Sequence, residues 1–80
     1  MRYIRIAILK NEVEAALLES ILRERGIAHD VFSYRDSAFD GLFQPQKGWG
    51  HVEAPEDDRE EILEILADLR KDEGGNEEHD

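Results

Sequence analysis

The side chains with most chemical potential are two histidines in strand-like stretches, His29 and His51, each near an acid, Asp30 and Glu53. A metal could be held by that set, but no dense ligand motif such as His-Glu-x-x-His supports it. Half-exposed histidines on neighbouring strands explain them as well, so no metal site is assigned. His79 falls in the polar end of the chain and is read as solvent-exposed. There is no cysteine, which removes disulfides, thiolate ligands and a thiol nucleophile. Ser33 and Ser37 lack a Ser-His-Asp context. The carboxylates Asp57, Asp58, Glu60 and Glu61 cluster where a helix starts, and capping and the helix dipole account for them. The sequence therefore reads as non-enzymatic, with no cofactor.

Two further groups suit recognition. Arg35 and Lys47 flank a long irregular stretch, and Gly48 and Gly50 would allow a ligand phosphate to approach the backbone. No Walker or dinucleotide fingerprint accompanies them, so isolated surface cations remain the simpler reading. Phe39, Leu42, Phe43 and Trp49 lie within or just after the same stretch. Large aromatic and apolar side chains of this kind anchor protein interfaces. The competing reading is that they close one end of a small core.

These residues sit in a single domain of 80 residues. A chain of this size buries only roughly 60% of the surface exposed on unfolding. The formal net charge is −10, and Asp72, Glu73, Glu77, Glu78 and Asp80 concentrate it at the end of the chain. Nucleic acid and anionic membranes are poor partners for such a chain, because both are bound through Lys and Arg. No apolar run approaches the ~20 residues of a membrane span. The opening Met1-Arg2-Tyr3-Ile4-Arg5 is too short and charged for a signal peptide, so a cytoplasmic location is expected.

The scaffold follows from periodicity. Tyr3–Leu9 alternates as a strand, with Ile4, Ile6 and Ile8 forming the floor for a helix and Tyr3, Arg5, Ala7 and Leu9 pointing away. Asn11 caps a helix ending at Gly26, and Glu14 completes a capping box. Its apolar face comprises Val13, Leu17, Leu18, Ile21 and Leu22. Glu14 lies oddly within that arc, and the capping box is the explanation offered. Gly26 in the left-handed conformation stops the helix, and Ile27 closes the contact beyond it.

Ile27–Tyr34 is the second strand, with no clear core face. Arg35–Gly48 is a long connection with a turn signal at Asp40-Gly41 and a break at Pro45. Trp49–Ala54 is the third strand, with Gly50, Val52 and Ala54 on one face and Trp49, His51 and Glu53 on the other; Pro55 ends it. A second helix starts near Glu56 or Asp57, with Asp57 and Glu60 as its capping box. Ile62, Ile65, Leu66 and Leu69 form its core stripe. Residues 1–71 then form one domain, and 72–80 an acidic tail expected to be disordered.

The order β-α-β-β-α, with the third strand between the others, describes an α+β, ferredoxin-like two-layer sandwich. It has a three-stranded mixed sheet, both helices on one face, and no final strand. The long connection is expected to exchange amide hydrogens rapidly. The uncovered first strand, or the open sheet face carrying Tyr3 and Arg5, is expected to support a homo-oligomer.

Several segments together resemble a family: Asn11-Glu-Val-Glu-Ala15 with Leu17-Leu18, Leu22 and Gly26-Ile27, then Gly48-Trp49-Gly50-His51-Val52 and Pro55-Glu56-Asp57. Over about residues 2–70 the chain is similar to small bacterial proteins grouped as prokaryotic signal-transducing proteins, a domain of unknown function. The resemblance implies a fold related to the PII signalling and divalent-ion tolerance proteins, which often form trimers. In PII proteins the loop between the second and third strands contacts partners, with nucleotide at its base. That position here is Arg35–Gly48, without the PII loop sequence, and no PII nucleotide-binding residue carries over.

The expected function is a small binding or regulatory module acting through contacts with another protein, whose identity the sequence does not give. The alternative is a small-ligand or divalent-metal sensor using the cleft beneath the 35–48 loop.

Overall fold

The computed structural model describes residues 2–34 and 48–78, with 73–78 described for backbone alone. Strand β1 is Tyr3–Leu9, helix α1 Glu12–Arg25, strand β2 Asp30–Ser33 and strand β3 Gly50–Pro55; a 3-10 turn at Glu56–Asp58 leads into helix α2, Arg59–Glu78. Helix α2 continues past Lys71, where the sequence-based reading ends it. Phe39, Leu42, Phe43, Arg35 and Lys47 all lie outside the described residues, as do the exchange expected across 36–47 and the last two residues of the tail.

The sheet has three strands in the order β1-β3-β2. Both neighbouring pairs are antiparallel. The expectation of a mixed sheet is thereby corrected. With β3 between them, β1 and β2 are not neighbours, so every ladder in the sheet is antiparallel.

Helix α1 is bounded as its sequence dictates. Asn11 has extended backbone and its Oδ1 accepts the Glu14 amide at 2.8 Å. At the other end Gly26 has φ 73°, its amide donates to the Arg23 carbonyl, and the Ile27 amide donates to Leu22 at 2.9 Å. This is the paired hydrogen bonding of a Schellman stop, and Ile27 packs against the core as the motif requires.

The second helix starts differently from expectation. The 3-10 turn occupies the place of the Asp57 cap, and Pro55 before it makes no side-chain capping bond.

One cluster forms the core: Ile6 and Leu9 from β1, Ala15, Leu18 and Leu22 from α1, Val52 and Ala54 from β3, and Ile62, Ile65 and Leu66 from α2. Both helices therefore pack on the face of β3 that carries Val52 and Ala54. Val13 and Leu17, expected in the α1 core face, are exposed at 64% and 46%. The buried arc is instead centred on Ala15, Leu18 and Leu22, one step around the helix.

In β1 the pairing slips between Arg5 and Ala7, so Ile6 is the extra residue of a β-bulge. Ile6 is in the core and Ala7 packs against it. Beyond that point the alternation inverts. Leu9 is fully buried and Ile8 is 38% exposed, the reverse of an uninterrupted strand. The expected floor of three isoleucines is thus Ile4, Ile6, Ala7 and Leu9.

Candidate functional site

No described helix covers the other face of the sheet. Cross-strand partners in an antiparallel ladder point the same way, so the register sorts that face into rows. Ile8, His51 and Phe32 form one row, and Arg5, Glu53 and Asp30 the next; Tyr3 stands opposite Pro55. Tyr3, Ile8 and Phe32 are each at least one-third exposed.

His51 lies at the centre and is nonetheless buried. Its Nδ1 lies 3.0 Å from the Tyr34 hydroxyl and its Nε2 2.9 Å from Glu53 Oε2. The neutral tautomer that fits has Nε2–H donating to the carboxylate and Nδ1 accepting from the phenol. The rings of Phe32 and Tyr34 stand 5.2 Å and 5.5 Å from the imidazole. The histidine is thus fixed in orientation by two hydrogen bonds and two aromatic neighbours. Gly50, the residue before it, permits the close approach of β2: a Cβ there would collide with the Phe32 carbonyl.

His29 does not join this cluster. It immediately precedes β2, bonds the Ile27 carbonyl through Nδ1 at 2.9 Å, and its Nε2 faces Glu19 of α1 at 3.6 Å. The alternation that puts Asp30 on the open face turns His29 towards the helices. His29 and His51 are therefore kept apart. Among the described residues no group of three His, Asp or Glu is placed to hold a metal ion. Trp49, which immediately precedes β3, packs against the core cluster.

A second polar cluster lies on the opposite layer. Glu14 is 1% exposed. Its Oε1 accepts the Lys10 amide at 2.7 Å, one residue earlier than a capping box requires. Arg70 of α2 binds the same carboxylate through Nε at 2.8 Å and Nη2 at 3.1 Å, and Nη2 also donates to the Ile8 carbonyl at 2.9 Å. Burial pushes the Glu14 carboxyl up. The Arg70 hydrogen bonds, the Lys10 amide and the two positive charges outweigh burial and hold it below its ordinary 4.5. This cluster ties β1 and both helices together.

Two signals for these contacts were present in the sequence. Arg70 follows Leu66 by four residues, which places it beside the α2 core stripe, while Glu14 interrupts the α1 stripe. His51 and Glu53, two apart on a strand, necessarily share a face. The contribution of Tyr34 had no such signal, because the face of β2 was undetermined.

No family model matches the chain, and no curated protein or solved structure matches it either. No helix among the described residues is long and apolar enough to cross a membrane.

Proposed function

We propose that this chain is a small non-enzymatic binding module, of the regulatory kind, that recognises another protein through the uncovered face of its sheet. The reading includes a ferredoxin-like arrangement without its last strand, a cytoplasmic setting, and kinship with the small bacterial signal-transducing proteins it resembles. The observation that carries it is the pair of partly exposed Ile8 and Phe32 flanking an immobilised His51, with exposed Tyr3 two rows further along the same face. Aromatic and apolar side chains held rigidly lose little conformational freedom on binding, which suits an interface centre.

The test is solvent accessibility in dilute protein. With a neutral gadolinium chelate as cosolute, side-chain NMR relaxation at Ile8 and Phe32 should match that of exposed Val13 and Leu17. Rates as low as those of Leu18 and Leu22 would mean that the chain covers its own sheet, and would end this reading.

A further inference from the structure

We propose that the open sheet face docks on the same face of a second copy of this chain, about a two-fold axis running along β3. The inference deepens the binding-module reading and rests on it; it names the partner.

Charge distribution is the first support. Most of the exposed acids, among them Glu12, Glu24, Glu60, Glu61, Glu64 and Asp68, lie on the helices, whereas Asp30 is an exposed acid of the sheet. The open face carries Arg5 against Glu53 and Asp30, among aromatic and apolar groups. Facing sheets pack ~10 Å apart, and each helical layer adds ~10–12 Å. The two acidic layers would then lie about 30 Å apart, several times the ~8 Å screening length at physiological salt. The sheet-to-sheet arrangement therefore keeps the acids of the helical layers of the two copies far apart.

Self-complementarity of the two rows is the second support. An axis along the central strand lays β1 of one copy over β2 of the other and keeps every row over its own counterpart. Ile8 then meets the second copy's Phe32, and Phe32 its Ile8. Arg5 meets Asp30, and Asp30 meets Arg5, so each contact occurs twice. Within one chain neither Arg5 nor Asp30 makes an ion pair among the described residues. The two Glu53 carboxylates approach the axis, each engaged by His51 and flanked by Arg5. An axis across the strands would instead set Arg5 over the apolar row.

The edge of β1 is the weaker place for a second copy. The Leu9 carbonyl accepts the Trp49 amide, so the Ile8 carbonyl points outwards, and Arg70 already occupies it.

The size of the face sets the strength. Three strands ~4.8 Å apart, with ~3.3 Å per residue along them, offer on the order of 300 Å² per copy. That is well below the ~800 Å² per partner of a standard interface, so the dimer is weak and forms only at high protein concentration.

Sedimentation equilibrium on the full chain from about 0.01 to about 1 mM tests this, with circular dichroism confirming that each variant is folded. Wild-type mass should rise towards twice that of the monomer. Phe32→Lys should weaken association at least ~10-fold. Arg5→Asp and Asp30→Arg should each weaken it several-fold, whereas an equimolar mixture of these two variants should associate better than either alone. Should either charge variant misfold, the salt dependence of wild-type association replaces it, since Arg5–Asp30 contacts weaken with salt. A wild-type monomer throughout the range overturns the inference, and so does association indifferent to Asp30→Arg. If the monomer's face is nevertheless open to the gadolinium cosolute, the binding-module reading stands and only the identity of the partner falls.

Discussion

Glu14 and His51 are the two buried polar side chains of the described core, and their surroundings differ in kind. Glu14 is held by Arg70 from 56 positions further along the chain, and that guanidinium also reaches the carbonyl of β1. His51 is held by Glu53 of its own strand and by Tyr34 immediately after β2, with exposed aromatic and apolar groups alongside. Removing one partner from a buried ion pair leaves a charge stranded in the core. Removing a polar contact on an open face leaves a group that water can serve. The first cluster therefore bears on whether the layers stay together, and the second on what the sheet presents.

The sharpest way to break this contrast is Arg70→Ala. It strands the Glu14 carboxylate and frees the Ile8 carbonyl. The expected loss is about 2–3 kcal/mol, less than the ~3–5 kcal/mol of a fully buried broken pair because Arg70 itself is partly exposed. For a domain of this size that is a fall in Tm of roughly 10–20 °C, read by thermal denaturation. A change of a degree or two would place Glu14 and His51 in the same class.

Acid provides the next effect in size. The folded Glu14 carboxyl sits below its ordinary 4.5, so its stabilisation is complete above that value and is lost as pH falls through the folded value. Glu14→Gln removes this titration. Urea midpoints of wild type and variant should differ by a constant amount above pH about 5 and converge as the pH drops below 4.5. A difference that widens in acid would contradict the assignment.

His51→Phe should have the smallest effect. The ring is kept between Phe32 and Tyr34 while both hydrogen bonds are lost, and Tyr34 and Glu53 retain access to water. The expected change is within about 1 kcal/mol, measurable by urea denaturation. A loss as large as that for Arg70→Ala would mean that the sheet depends on this cluster as the layers depend on Glu14.

Much of the scaffold was legible because it is local. The Asn11 cap and the Gly26-Ile27 stop each depend on residues within one turn, and the α2 stripe is a simple helical period; all three reappear in the structure. Glu14 was recognised as anomalous but explained locally, by a capping box. Its main partner is on another helix, and sequence separation hides such a pairing. His51 and Glu53 could be placed on one face of β3, yet whether that face met helices or solvent depended on which way the sheet was layered. The exposure of Ile8 was hidden most completely, since the residues of β1 still look like an ordinary alternating strand.

That strand has seven residues opposite six in β3. The surplus acts as a phase shift, so Tyr3–Arg5 and Ile8–Leu9 follow opposite odd–even rules. A chain shortened by removal of Ala7 would regain a single rule with Ile4, Ile6 and Leu9 still inward and Tyr3, Arg5 and Ile8 still outward. The length of β1 is therefore not what assigns its side chains to layers. What a surplus residue of this kind adds is a local increase in the right-handed twist that every sheet already has, between the Arg5 row and the Ile8 row.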